Sequence, residues 1–335
     1  MTRQGPPSSE MLAKMRKLNG AIPNVEILDG NIGYMRVNGM PPPNVSGDAI
    51  AAAFAFLRNT DALIIDLRAN GGGEPKTVAL YLSYVSEGAS YVTRYIHWRK
   101  NEYIEEFKTT DLGKLAYGAK KPIFALTSHR TFSGVEGFAY DLQAFKRGVI
   151  IGETTAGGAH PGGFQSLGHG FMTFMPTGYA VNPVTNSNWE GVGVKPDFEV
   201  PAGHAFIKAE ILAVESLKGN ATDPTEREAL DAYALYYKAA AETRPPSEAQ
   251  LIGQYGGDQG PSVIKRDEKL YLRTALNGII TQLFGQSETE MIWAGGGRYK
   301  LKGLPYYISA SFVADDKKVT LVIVGLEQPK VMQKL

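Results

Sequence analysis

Ser133 lies in the run Thr131-Phe132-Ser133-Gly134-Val135-Glu136, shortly after an apolar stretch at 122–126. A serine at a strand–loop–helix junction has two uses. It can cap the helix by accepting a backbone N–H. It can instead face a cleft as a nucleophile, with Gly134 allowing close approach and offering an amide. A second run, Asp66-Leu67-Arg68-Ala69-Asn70-Gly71-Gly72-Gly73, also ends an apolar stretch. Glycine amides in a turn before a helix can hold an anion or an oxyanion. The other reading is a tight turn braced by an Asp66–Arg68 pair. The run lacks the Lys-Ser/Thr of a phosphate loop, which argues against a nucleotide site. The third run is Gly152-Glu153-Thr154-Thr155-Ala156-Gly157-Gly158-Ala159-His160-Pro161-Gly162-Gly163. Its His160 is either a general base or a hydrogen-bonding strut. The fourth, Asn188-Trp189-Glu190-Gly191-Val192-Gly193-Val194-Lys195-Pro196-Asp197, sets Glu190 between tryptophan and glycine. There it either serves the chemistry or pins a turn.

These residues need a frame. Apolar periodicity predicts a strand at 32–37, an Ala-rich helix at 47–57, a strand at 62–67 and a helix at 75–85. Alternation at 91–98 and 103–108 predicts a hairpin. A strand at 122–126, an amphipathic helix at 133–145 and a strand at 149–151 follow. This repetition predicts a mainly parallel, right-handed α/β core. Residues 164–200 read as β-rich, and a helix at 204–217 closes the unit. Thr222-Asp223-Pro224 starts a further helix that runs to about 243, before Arg244-Pro245-Pro246. Beyond it, strands are predicted at 250–255, 262–266, 269–273, 279–283, 306–313 and 319–324, a small all-β, barrel-like domain. The expected division is therefore an approach segment at 1–24, a core at 25–218, a helical linker at 219–246 and a β domain at 247–335.

Composition narrows the function classes. The net charge of +1 provides no broad basic field for nucleic acid. With no cysteine, thiolate metal sites, disulfides and a cysteine nucleophile are excluded. No metal or cofactor is called for by the remaining motifs. No apolar run is long enough for a membrane span, and the N-terminal residues do not form a signal peptide.

The four runs, in this order, resemble the tail-specific (C-terminal processing) serine peptidase family. The likeness is to its interphotoreceptor retinoid-binding-protein-like and tricorn-core-like branch, over about 31–208. Gly33-Tyr34, Asp66 to Gly73, Thr131-Phe132-Ser133, Gly152-Glu153-Thr154-Thr155 and Glu190 to Asp197 carry it. The resemblance implies a crotonase-like α/β core, Ser133 as nucleophile, and an oxyanion hole from Gly72, Gly73 and Gly134. In one branch a lysine base follows the Gly-x-x-Thr-x-Gly element, here Gly152 to Gly157. Gly158 stands at that position here, so a simple Ser/Lys dyad is excluded. In the tricorn-like branch the base is a histidine, supported by a glutamate that Glu190 matches. That histidine belongs to an Asp-x-His segment upstream of the core. Here the histidines are His97, His129, His160, His169 and His204, none of them before Asn31. A preceding helical domain is therefore expected to have been removed or never encoded, and His160 is the substitute base to examine. The family's PDZ module is likewise not expected within these residues.

Three functions follow. The first is a serine peptidase acting on unstructured peptides or protein C-termini, exported by family analogy and compatible with a homo-oligomer. The second is a non-catalytic relative holding an apolar ligand in the same cleft. Phe164, Phe171, Met172, Phe174 and Met175 would line that cleft, with alternate ones filling the core. The third is a fragment that is inactive without its N-terminal domain.

Overall fold

The computed structural model describes residues 9–86, 92–99, 103–241, 246–274, 278–295, 298–305, 308–314, 318–326 and 328–335. Parts of the expected strands at 91–98 and 306–313, the end of the helix expected to reach 243, and residues 1–8 of the 1–24 segment lie outside them. The chain divides into two compact units, one ending at Ala209 and the other beginning at Glu210.

In the first unit, α1 (Ser9–Lys17) precedes β1 (Asn24–Leu28) and β2 (Ile32–Arg36), which pair antiparallel. Helix α2 (Pro43–Leu57) begins earlier than expected because Pro43 sits in its first turn, where the proline ring presets a helical φ and no amide is missed. Strand β3 (Ala62–Asp66), α3 (Pro75–Val85), the hairpin β4 (Val92–Trp98) and β5 (Tyr103–Lys108), β6 (Ile123–Thr127), α4 (Gly134–Ala144) and β7 (Val149–Gly152) follow. Next come β8 (Gly162–Gly168), β9 (Phe171–Pro176), β10 (Gly178–Val181) and β11 (Phe198–Glu199), before α5 (Ala205–Asn220), within which the division falls.

The main sheet has the order β1-β2-β3-β6-β7-β11 and is parallel from β2 onward. Its strands are apolar without alternation because the sheet is buried: every residue of β3 and β6 is buried. Ile50, Phe54 and Leu57 of α2, Tyr81 and Leu82 of α3, and Phe138 and Leu142 of α4 share one core with Met35, Leu63, Ile65, Ala125 and Ile150 of the strands. Phe54 and Tyr84 stack with centroids 4.4 Å apart within that core. Strand β10 pairs with β4 to make a three-stranded antiparallel sheet with β5, and β8 and β9 form a separate two-stranded hairpin.

The second unit opens with α6 (Pro224–Ala241) and α7 (Glu248–Leu251). An antiparallel meander follows: β12 (Gly253–Gln254), β13 (Ser262–Arg266), β14 (Lys269–Arg273), β15 (Glu288–Gly295), β16 (Arg298–Leu301), β17 (Ser309–Ala314), β18 (Val319–Val324) and β19 (Lys330–Gln333). Two bonds beside a Tyr255–Lys334 bridge, Gly256 N–H to Gln333 and Leu335 N–H to Gln254, join its first and last strands. The enclosed side chains include Tyr255, Leu272, Tyr299, Phe312 and Leu321. The helix expected as a linker packs here, with Tyr236 Oη 2.8 Å from Ser309 Oγ.

Two expected strands are corrected. Residues 279–283 form most of α8 (Ile279–Phe284), not a strand: Gly278 caps one end and left-handed Gly285 returns its amide to Thr281 at the other. The strand expected at 250–255 is shortened, because Ser247 starts the turn of α7 and leaves only Gly253–Gln254 extended.

Candidate active site

Strands β3, β6 and β7 are neighbours and run parallel, so their C-terminal loops emerge side by side at one edge. Open α/β sheets place their sites at that edge. The loop after β3 carries Arg68 to Gly73, the loop after β6 carries Ser128 to Ser133, and the loop after β7 carries Glu153 to His160. The sheet thus gathers three of the four runs singled out in the sequence, and the fourth is tied to them through the third.

Ser133 immediately precedes α4 and has φ 63° and ψ −128°. A non-glycine residue held there carries about 1–3 kcal/mol of backbone strain, which the surroundings must impose. The glycine turn supplies part of that setting. A Cβ on Gly72 would come within 2.8 Å of Ser133 Cβ, and one on Gly134 within 2.5 Å of the Gly73 carbonyl. With φ of 105° and 147°, Gly72 and Gly73 suit only glycine. The buried Asn70 shapes the turn: its Nδ2 donates to Val37 O at 3.0 Å, and its Oδ1 accepts Gly72 N–H at 2.8 Å. Of the three amides expected to face an oxyanion, that of Gly72 is therefore engaged. Those of Gly73 and Gly134 have no acceptor among the described residues. The Asp66–Arg68 pair also forms, with Arg68 Nη2 and Nε 2.6 and 2.9 Å from the two carboxylate oxygens. Burial tends to raise the Asp66 carboxyl, but Arg68 outweighs it and holds the carboxyl below its usual range. The pair braces the strand end, as Arg68 Nη1 also donates to Ala202 O at 2.7 Å.

Glu136 was not singled out in the sequence, although Ser-x-x-Glu before an apolar helix is a recognisable capping signal. It is fully buried. Its Oε2 accepts Ser133 N–H at 2.6 Å and Gly158 N–H at 2.9 Å. Its Oε1 accepts the Thr155 hydroxyl and Gly157 N–H, both at 2.6 Å.

The loop after β7 is also zipped to the fourth run. Val194 N–H donates to Thr155 Oγ1 at 2.7 Å, Gly191 N–H to Gly157 O at 2.9 Å, and Ala159 N–H to Glu190 Oε2 at 2.6 Å. Glu190 thus pins the turn, while its Oε1 lies 3.5 Å from His160 Nδ1. The ring of Tyr179 stacks on His97 at 4.7 Å and meets His160 edge-on at 6.4 Å. Among the described residues no hydrogen bond joins His160 to Ser133. His129 pairs through Nδ1 with Glu153 Oε2 at 2.8 Å. Hydrogen bonds from Ala202 and then from His129 lower the Glu153 carboxyl to about 2. Gly158 also has a steric reason to be glycine, since a Cβ there would overlap the ring of Phe132.

Behind α4, buried Asp141 accepts Arg94 Nη2 at 2.8 Å and Asn182 Nδ2 at 2.9 Å, and the Arg94 guanidinium lies 4.8 Å from the centroid of the buried Trp189 ring. This network anchors the Trp-Glu-Gly turn beneath Glu190. Desolvation pushes the Asp141 carboxyl up to about 6 against the opposing pull of Arg94. Among the described residues no cluster of three or more His, Cys, Asp or Glu could hold a metal ion, and no helix is long and apolar enough to cross a membrane. The apolar residues of β8 and β9 fill no core: Phe164, Phe171, Met172, Phe174 and Met175 are all 40% exposed or more, because a two-stranded hairpin has no second layer to cover it.

A model of the family described as peptidase family S41 matches residues 31–200, about half of the chain. A tail-specific protease from Haemophilus influenzae is 31% identical over 101 residues, which make up 30% of this chain and 14% of that protein. A photosystem II D1 C-terminal processing protease aligns with a TM-score of 0.42 at 22% identity, covering 51% of this chain and 43% of its own. A lipoprotein from Streptococcus agalactiae aligns with a TM-score of 0.46 at 17% identity, covering 62% and 75%. The chain thus spans well under two thirds of the length of the first two.

Proposed function

Because this chain belongs to peptidase family S41, we propose that it is a serine peptidase that cleaves unstructured peptides or protein C-termini through an acyl-enzyme on Ser133. The observation that carries the reading is the meeting of a strained serine at a helix N-terminus with the amides of Gly73 and Gly134, which have no acceptor among the described residues. In this mechanism Ser133 Oγ attacks the scissile carbonyl. Oxygen becomes an anion as the tetrahedral centre forms, and the two amides receive it. Preorganised donors aimed at developing charge are usually the largest single contribution to catalysis. Gly72 allows the approach rather than donating.

The hydroxyl proton needs an acceptor, because serine without a base attacks slowly. His160 takes that role, with Glu190 stabilising the imidazolium and Tyr179 limiting its rotation. The proton passes next to the leaving amine, and water then hydrolyses the acyl-enzyme by the same route. A crotonase-like core over 25–218 fits the parallel sheet and its single functional edge. The domain over 247–335 then serves packing or partner recognition, joined by 219–246.

The test is labelling by a fluorophosphonate probe, with hydrolysis of unstructured peptides followed in parallel. Labelling that Ser133→Ala abolishes is the expected outcome. Loss of His160 should reduce turnover by roughly 10³–10⁶-fold. Full activity in Ser133→Ala would end the proposal, and full activity in His160→Ala would remove His160 as base.

A further inference from the structure

We propose that Glu136 is the positioning residue of the nucleophile: one buried carboxylate holds Ser133 in its strained conformation and locks the loop leading to His160 to the same point. This rests on the reading of Ser133 as nucleophile. A carboxylate offers about four acceptor sites, and four donors occupy those of Glu136. Two of them, Ser133 N–H and Gly158 N–H, converge on Oε2. The other two, the Thr155 hydroxyl and Gly157 N–H, converge on Oε1. A plain helix cap would need one oxygen and one amide. Here a whole oxygen and half of the other serve the loop after β7, which a capping role does not require.

The position explains how the strain is held. Ser133 sits at φ 63°, and the acceptor of its amide is Glu136, one turn into α4, where the helix N-terminus favours negative charge. The same carboxylate fixes Gly158, two residues before His160. Glu136 touches neither substrate nor the reacting atoms in this scheme. It acts by setting the distance between the strand loop that bears the nucleophile and the strand loop that bears the base. The next amide, that of Gly134 in the first turn of α4, has no acceptor among the described residues and faces the oxyanion in this scheme.

Glu136→Gln tests this with little change of shape. Glutamine presents one oxygen and one NH₂, so two of the four donors would face a third donor. The expected result is a fall in kcat of about 100-fold, the size that misplacement by an ångström produces, with KM little changed and probe labelling of Ser133 slowed to match. In a crystal structure of the variant, Ser133 should relax to negative φ. A merely structural role would lower the melting temperature and leave kcat per folded molecule at the wild-type value. That result, or an unchanged positive φ at Ser133, overturns the inference. If Glu136→Gln does not fold, Thr155→Val removes a single donor. It should lower kcat at constant KM, with Thr155→Ser recovering most of it, and wild-type kcat in Thr155→Val overturns the inference. Wild-type protein that no serine probe labels would remove the peptidase reading instead, and the φ of Ser133 in the variant would still decide the role of Glu136.

Discussion

Gly73 and Gly158 show how much of the site is decided by the space beside single atoms. A Cβ on Gly73 would overlap the Met40 carbonyl, and its φ of 147° is foreign to other residues. Gly73→Ala should therefore destabilise the chain by about 2 kcal/mol or more, measured by chemical denaturation. At Gly158 the obstacle is a side chain, the Phe132 ring. Gly158→Lys, which would install the lysine of the Ser/Lys branch, forces the half-exposed Phe132 ring to turn aside and should cost up to about 1 kcal/mol. Adding Phe132→Ala should restore most of that loss in thermal melts. The residue types at these positions, and the candidacy of Ser133 and Glu190, were legible in the sequence. The availability of each amide was not, because the Asn70 side chain folds back onto Gly72 and no spacing rule reports that.

At the scale of elements, α4 presents Ser133 and Glu136 at its N-terminus and Asp141 further along, where Arg94 of β4 reaches it. The carboxyl of Asp141 is raised in the folded protein, to about 6. The stability linked to its proton is therefore complete below its ordinary value, near 3.8, and is lost as pH rises through about 6. Arg94→Met removes the opposing cation. It should cost about 3 kcal/mol at pH 7.5 and less at pH 5, where Asp141 can take up a proton. Melting curves at the two pH values test the sign. The elements themselves were mostly legible, since β3, β6 and β7 are apolar runs too short to be helices. Strand β15 was missed because Glu288 and Glu290 make it look polar. Arg266 and Arg273 neutralise the first and Lys269 and Lys302 the second, while Thr289 and Met291 point inward. Helix α8 was misread because a short apolar run is ambiguous, and only its glycine ends distinguish the two states.

At the scale of the molecule, the chain builds one mainly parallel sheet with its candidate site at a single edge, and one antiparallel meander curled around its own core. Phe312 lies fully buried in that second core, between Tyr255 and Tyr299. Phe312→Ala should cost about 3–5 kcal/mol, read from the unfolding of the whole chain. By itself the sequence determined the α/β alternation, the β-rich end, and the four runs that carry the family resemblance, because hydrophobic period and glycine placement are local properties. Only the tertiary structure decided that the loops after β3, β6 and β7 adjoin, that the Gly72 amide is taken while those of Gly73 and Gly134 have no acceptor among the described residues, and that Glu136 ties Ser133 to the loop leading to His160. Those are distances between residues remote in sequence, and they are set by strand order and by which buried donors find which acceptors.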